Sequence, residues 1–322
     1  MPGARKPPAA TTHTDPAMPR PPHAATLPDA PGMARPLAIA FVVLYGAGFV
    51  GARLGLPHAD PFAFLALRFA LAAAIMAALS LIFAVPWPAR RDLPAIALAG
   101  LLTVGVFSVG VFVSIAGGVP PAVSALIVAL HPALIGLLAP WLLGERNTRR
   151  QWAGLALGLC GVYLVLREGW SGQAWGGWAV AASFLGLAGL SLGNLVQKAR
   201  CATMHPLAGG AIQCALCALL CAAGWAIFEG TPVHWTAEFV FALFWMAVVV
   251  SVGAVSLLVL LIRQNAVSRV AGLFYLVPVS AAVVAWLCFA QPIAATQVLG
   301  IVVAAIGVRL ATQRRKAPAP SR

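Results

Sequence analysis

Charged residues are scarce in this chain of 322 residues. Asp, Glu, Lys and Arg make up 9% of it, whereas hydrophobic residues make up 61%. A soluble globular domain carries about 25% charged residues, so this chain cannot cover itself with a water-compatible surface. Apolar runs of about 18 residues, the length that crosses a bilayer, recur along almost the whole sequence. The composition predicts an all-α polytopic membrane protein, because a transmembrane barrel would show short alternating segments.

Acidic residues are the rarer charged group, with 8 Asp and Glu against 21 Lys and Arg. None lies in the middle of an apolar run, which argues against a carboxylate proton relay through the membrane. The phosphate-binding loop GxxxxGK[ST] is missing, which argues against an ATP-driven pump. Cys214, Cys217 and Cys221 share one run without a histidine or acidic partner, so we interpret them as packing residues. We expect no metal, no cofactor and no catalytic residue.

The positions of the basic residues indicate both the partner class and the orientation. The formal charge of +13 would suit a nucleic-acid partner, but Lys and Arg lie between apolar runs and form no basic face. We therefore expect a lipid bilayer and no nucleic acid. With the N-terminus in the cytosol, only Arg53 and Arg167 fall on the opposite side, as the preference of basic residues for cytosolic loops requires. Both termini are predicted to be cytoplasmic.

The chain divides into two tails and two apolar repeats. Residues 1–35 are rich in Pro and Ala and lack the apolar core of a signal peptide, so they are predicted to form a disordered cytosolic tail. The repeats are predicted at 36–168 and 174–312, and residues 313–322 form a basic cytosolic tail. Ten spans are predicted at about 37–56, 62–85, 93–115, 121–143, 151–167, 175–196, 206–228, 238–262, 268–290 and 296–312.

The two apolar regions repeat each other without their charges. A shift of 146 residues places Pro132 on Pro278, and a shift of 145 places Arg68 on Gln213. The basic segment "GERNTRRQ" corresponds to the uncharged "AQPIAATQ". Each copy holds five spans, an odd number, so the second copy must enter the membrane in the opposite direction, where basic residues are disfavoured. The predicted fold is therefore ten transmembrane helices in a 5+5 inverted-topology repeat.

Inverted repeats are a recurrent architecture of secondary transporters. The two halves enclose a site near the midplane and expose it alternately to the two sides of the membrane. The architecture, and not any reacting group, predicts a secondary transporter of a small organic solute.

Two long stretches resemble a known family. The segments "GAGFVGARLGL", "DPFAFLALRFALAA" and "VSALIVALHPALIGLLAPWLLGERNTRRQWAGLALGLCGVYLVL" are similar to an EamA domain of the drug/metabolite transporter superfamily. The segment "GLFYLVPVSAAVVAWLCFAQPIAATQVLGIVVAAIGV" is similar to a second one. The resemblance implies ten helices and an exporter or permease of metabolites, amino acids or drug-like solutes in the bacterial inner membrane. One departure is Ala290-Gln291, where the family usually has Gly-Glu.

Several polar residues within spans are candidates for the solute site. Arg68 is the one basic residue well inside a span, where an arginine costs about 2.5–3.5 kcal/mol. Two roles stay open for it, contact with solute or an outward reach to a loop carboxylate such as Asp60. His131 is a candidate for proton coupling or for helix packing. The residues predicted to line the cavity are Tyr45, Arg68, Ser108, His131, Asn194, Gln213 and Tyr275.

Two further pairs of residues have predicted structural roles. Pro132 and Pro278 each remove a backbone hydrogen bond and are predicted to kink spans four and nine. Glu145 lies near Arg149 at a cytosolic helix end, where we predict an ion pair that gates the inner face.

Two rival functions and one partner stay open. The segment "GLSLG" matches the serine-hydrolase pattern G-x-S-x-G around Ser191, but the pattern requires a strand–turn–helix context. It also requires a neighbouring histidine, and His131, the one histidine within a span, belongs to the other half. Small-residue helix packing explains the segment better. The second rival is a non-transporting membrane sensor or assembly subunit. A homodimer is a further partner that the sequence leaves open.

Overall fold

The computed structural model describes residues 34–143, 149–172, 175–201, 203–254, 256–257, 277–289 and 295–312. Within these ranges the chain is helical and contains no strand. In chain order the helices are α1 (Ala34–Gly55), α2 (Pro61–Ile82), α3 (Arg90–Ala116), α4 (Pro121–Val128), α5 (His131–Leu143), α6 (Arg149–Gly172), α7 (Gly177–Arg200), α8 (Pro206–Phe228), α9 (Ala237–Ala254), α10 (Val277–Phe289) and α11 (Ala295–Thr312).

Six described helices are long and apolar enough to cross a membrane: α1, α2, α3, α7, α8 and α9. Shorter apolar helices accompany them at 123–138, 152–161 and 298–307. The prediction of a polytopic all-helical membrane protein is confirmed. The count of ten spans stays a prediction, although every predicted span contains a described helix.

Some helix boundaries differ from the sequence prediction. Span two ends at Ile82, because Phe83 and Ala84 bond back to the last turn and Ala84 has a positive φ of 47°. Span five is longer than expected and runs from Arg149 to Gly172. Span four is interrupted at Ala129 and Leu130, directly before His131 and Pro132.

Helices α6 and α11 pack so closely that no Cβ fits between them. A Cβ at Gly161 would lie 2.6 Å from the carbonyl oxygen of Gly300, and one at Gly307 would lie 2.7 Å from that of Gly154. The shift of 146 residues carries the first pair onto the second with the roles exchanged. Such a reciprocal contact is what a two-fold axis produces.

The other helix contacts follow the same exchange of halves. Helix α3 packs on α7 while α9 packs on α1, and α5 packs on α7 while α10 packs on α1. Helices α2 and α8, which correspond to each other, pack together directly. The two sequence repeats therefore have equivalent packing partners.

Two helices contain a π-helical segment at equivalent places. The segments are Leu101–Val106 in α3 and Trp245–Ala254 in α9. The shift of 145 residues carries 101–106 onto 246–251, inside the second segment. Because π turns are rare and occur frequently at functional sites, their position indicates a candidate functional region.

Buried hydroxyls join three helices of the interior. Ser183 Oγ of α7 donates to Ser114 Oγ of α3 at 2.7 Å and therefore accepts the hydrogen bond from Ser124 Oγ of α4, 2.8 Å away. The outer helix surfaces are apolar instead, with Leu81, Leu219 and Phe228 more than two-thirds exposed. Such surfaces fit contact with lipid chains.

Candidate functional site

A cavity of about 110 Å³ lies at the centre of the described helices. Helices α1, α2 and α3 of the first half and α7, α8 and α9 of the second half form its wall. Both π-helical segments contribute residues to it. The aromatic and aliphatic side chains of the wall are Tyr45, Phe49, Phe69, Met76, Val104, Phe107, Val111, Phe112, Leu190, Met246 and Val250. The cavity is thus largely apolar, with a few polar groups.

Arg68 is the one charged residue among the described residues of the cavity wall. It is 7% exposed, and its Nε donates to Ser251 Oγ at 3.0 Å. Its guanidinium carbon lies 5.2 Å from the ring centroid of Phe69 and 5.7 Å from that of Phe112. Asp60 instead accepts a hydrogen bond from Thr231, so the outward pairing with Asp60 is not what the structure shows.

Ser251 owes its position to the π-helical segment of α9. Its hydroxyl donates to the carbonyl oxygen of Met246, five residues earlier, at 3.0 Å. The hydroxyl oxygen is then available as the acceptor for Arg68. Sequence reasoning missed Ser251. The available signal was the repeat, because the shift of 145 residues makes Ser251 the equivalent of Val106 in the first π-helical segment.

Three amide side chains form the polar part of the wall on α7 and α8. Gln213 Nε2 contacts Gln197 Oε1 at 3.0 Å and the carbonyl oxygen of Ile96 at 3.3 Å. Asn194 and Gln197 lie on the same face of α7. Gln213 is the repeat equivalent of Arg68, so equivalent positions carry a charge in one half and an amide in the other. Sequence reasoning missed Gln197.

His131 lies behind Asn194 and is 3% exposed. Its Nε2 accepts from Asn194 Nδ2 at 3.0 Å, and its Nδ1 lies 3.0 Å from Ser191 Oγ. Ser191 Oγ donates its own proton to the carbonyl oxygen of Leu187 at 2.8 Å, so the His131 Nδ1–H is the donor to Ser191. The imidazole does not form part of the cavity wall and contacts it through Asn194.

Contrary to the expectation from the sequence, Ser191 does have a neighbouring histidine. Helix α5 packs against α7 and brings His131 of the first half beside Ser191 of the second. The proton positions nevertheless oppose a hydrolase, because a general base must accept the serine proton at the ring nitrogen that faces it. Here that nitrogen is already protonated, and Ser191 is fully buried.

The remaining predicted site residues are distributed unevenly. Tyr45 and Ser108 are buried in the cavity wall, and the Tyr45 ring stacks on Phe107 at 6.3 Å. Tyr275 and Glu145 lie outside the described residues.

The predicted kinks and ion pair are described only in part. Pro132 is the second residue of α5, directly after the interruption of span four, and Pro278 is the second residue of α10. Arg149 is exposed at the start of α6, and its pairing with Glu145 stays a prediction.

The buried cysteines of α8 lie against the wall without a metal-binding partner set. Cys214 contributes to the cavity wall, and Cys217 Sγ lies 3.5 Å from the carbonyl oxygen of Gly100. Within the described ranges no group of three or more His, Cys, Asp or Glu side chains could hold a metal ion.

Contacts between the two halves lie at one end of the helix bundle, where α2 begins and α8 ends. The carboxylate of Glu229, which follows α8, accepts hydrogen bonds from the amides of Phe62 at 2.9 Å and Ala63 at 3.0 Å. These are orphan amides of the first turn of α2, so Glu229 caps that helix from the other half. Burial raises the pKa of Glu229, the two amide bonds oppose the shift, and the nearby Asp60 adds to it.

Aromatic rings fill the space between this end and the cavity. The ring centroid of Phe64 lies 5.3 Å from that of Phe112 and 5.4 Å from that of Phe239. The Trp235 ring packs edge-on against Phe239, with 5.4 Å between the centroids. We call this group the aromatic plug. At the opposite end the wall extends to Gln197, three residues before the end of α7.

These features define a polytopic helical membrane protein whose two equivalent halves surround a central cavity. The chain matches the EamA-like transporter family twice, over residues 33–167 and 177–313. It belongs to the EamA-like transporter family, and the resemblance inferred from the sequence is confirmed. The family consists of transporters and not of enzymes, which implies a small-molecule solute and a membrane location.

Curated relatives match over part of the chain. The chain is 30% identical over 138 residues to the "Uncharacterized inner membrane transporter YedA" of Escherichia coli (strain K12), which covers 42% of this chain and 45% of the relative. It is 31% identical over 140 residues to the "Probable amino-acid metabolite efflux pump" of Salmonella typhimurium, with 42% and 44% covered. The match spans less than half the length of both relatives.

A solved structure shows the same fold. It aligns with a TM-score of 0.65 at 19% sequence identity and covers 86% of this chain and 95% of that chain. At this identity the likeness shows the fold alone.

Proposed function

We propose that this protein exports a small organic solute across the bacterial inner membrane, using the central cavity as its binding site. The observation that carries the proposal is the cavity itself, which both halves build from equivalent helices. Inverted repeats place a site at such an interface and expose it alternately. The exporter direction rests on the name of the Salmonella relative.

The contacts that close one end suit an alternating-access mechanism. They join the first half to the second through Glu229 and the amides of α2, through Thr231 and Asp60, and through the aromatic plug. Opening that end requires these contacts to separate, while the opposite end of the cavity, near Gln197, closes. In the predicted orientation the closed end is external.

A cross-link across the closed end tests this mechanism. The variant with Asp60→Cys and Thr231→Cys, joined by a short bifunctional thiol reagent, should lose solute flux in liposomes. Each single variant, treated in the same way, should retain it. Full flux through the cross-linked protein would exclude opening at this end, and the absence of flux of any solute in a broad panel would favour a sensor or assembly subunit.

A further inference from the structure

The charge of Arg68 has no counter-charge in the described part of the protein. Its described partners are the neutral hydroxyl of Ser251 and the rings of Phe69 and Phe112, and the described ion pairs involve other residues. The two terminal amino groups of the guanidinium make no hydrogen bond to a described residue. Among the described residues, the side-chain polar atoms that are both enclosed and without a hydrogen bond are Trp175 Nε1 and Ser256 Oγ. The terminal amino groups of Arg68 are not among them, so they remain accessible.

An arginine in this situation is suited to bind an anion. Burial of a lone charge is costly, and an incoming opposite charge with good hydrogen bonds offsets that cost. The planar fork of a guanidinium matches the two oxygens of a carboxylate and gives two parallel charge-assisted hydrogen bonds. Ser251 fixes the Nε edge of Arg68, so the edge formed by the terminal amino groups is left for the ligand.

The remaining residues of the wall indicate what the uncharged part of that ligand is like. Tyr45, Phe49, Phe107 and Leu190 offer apolar and aromatic contact, and no described Asp or Glu lines the cavity. An ammonium group on the solute would therefore find no carboxylate partner in the described wall. A net negative charge fits the site better than a zwitterion of the same size.

We propose that the cavity selects a small monocarboxylate with an apolar, aromatic-sized body, and that Arg68 binds its carboxylate through both terminal amino groups. This inference rests on the proposed function, because it names the chemical class of the exported solute.

Three solutes with one skeleton test the inference on the full chain in detergent. They are 3-phenylpropanoate, its neutral amide 3-phenylpropanamide, and L-phenylalanine, which adds an ammonium group. The acid should bind about tenfold or more tightly than the other two, since hydrogen bonds between charged groups are the strong ones. Binding is measured by calorimetry, and the same three solutes are then followed as flux in liposomes.

Variants of Arg68 separate recognition from folding. Arg68→Gln should weaken binding of the acid about 10- to 100-fold and leave binding of the amide within about twofold, which also shows that the cavity still forms. Arg68→Lys, a charge without the fork, should fall between wild type and Arg68→Gln. Arg90→Gln removes an exposed arginine outside the cavity and should match wild type.

The outcomes distinguish the inference from the proposed function. Equal binding of acid and amide, tighter binding of L-phenylalanine, or unchanged acid binding in Arg68→Gln would overturn the anion site. If none of the three binds, the inference also falls, whereas the proposed function falls only when the wild type moves no solute of a broad panel in liposomes.

Discussion

Arg68 and Ser251 join the two halves across the cavity, with Nε donating to Oγ at 3.0 Å. Arg68 belongs to the second helix of the first half, and Ser251 to the π-helical segment of the third helix of the second half. The bond therefore holds the one charged side chain of the described wall at the interface that the proposed alternating-access cycle would have to rearrange.

Removing the acceptor should destabilise this interface. Ser251→Ala leaves the Nε proton of a buried charged group without its described partner, which costs about 1.5–3 kcal/mol of unfolding free energy. Ser251→Thr retains the hydroxyl and should recover most of the loss. Thermal unfolding in detergent measures both, and equal melting temperatures for the alanine variant and the wild type would show that Arg68 finds another acceptor.

The contact of α6 with α11 should not tolerate a methyl group. In Gly161→Ala the new Cβ would overlap the backbone nitrogen of Ala304, so the helix backbones must separate. Such overpacking costs about 1–3 kcal/mol. Gly177→Ala is the control, because nothing lies within 4 Å of a Cβ there. A melting temperature that drops no more for Gly161→Ala than for the control would contradict the close approach.

The cap formed by Glu229 should give a pH-dependent stability. Burial raises its pKa, against the two amide hydrogen bonds. A carboxyl whose pKa is higher in the folded state stabilises the fold below the ordinary glutamate pKa of about 4.3, and that contribution is lost as the pH rises through the higher folded value. The melting temperature of wild type relative to Glu229→Gln should thus fall as the pH rises from about 4. A difference that grows with pH would mean that the amide bonds outweigh burial.

Ser191 should have a structural role and no chemistry. Ser191→Ala removes the acceptor of the His131 Nδ1–H and should cost about 1–3 kcal/mol, while solute flux persists. Ser80→Ala is the matched control, because that hydroxyl donates within its own helix to Met76 and leaves no donor unpaired. Labelling of the wild type, but not of Ser191→Ala, by a fluorophosphonate probe would establish the hydrolase instead.

The predicted orientation can be measured by labelling single cysteines. In a background with Cys160 and Cys288 replaced by serine, which leaves only native cysteines that are buried, Arg149→Cys should react with a membrane-impermeant maleimide only after the cytosolic side is opened. Gly230→Cys, in the loop after α8, should react in intact cells. Both positions are exposed, and a Cβ at Gly230 meets nothing within 4 Å. The reverse pattern would invert the assigned topology and place the closed end on the cytosolic side.

Composition and repetition predicted the class and the repeated all-helical architecture, because apolar composition and internal repetition are visible directly in the residue pattern. Arg68, Asn194 and Gln213 were identifiable because a polar side chain in an apolar span is costly wherever it faces lipid. The contact of His131 with Ser191 was not, because it joins residues 60 positions apart in different halves.

Local backbone conformation also decides which side chains reach the site, and it is not visible in the sequence. Ser251 is one serine among many, and only the π-helical segment turns its hydroxyl toward Arg68. The residues that form the cap at Glu229 gave no signal either, because the helix that they cap lies in the other half. Contacts of this kind depend on tertiary packing, which no single segment encodes.

The seam between α6 and α11 has a consequence for how solute preference can change. None of the residues described in the cavity wall belongs to either helix. Two helices locked at backbone contact can act as a stator, against which the cavity-forming helices pivot. Substitutions that change the solute preference can then accumulate in α1–α3 and α7–α9 without altering the contact between α6 and α11.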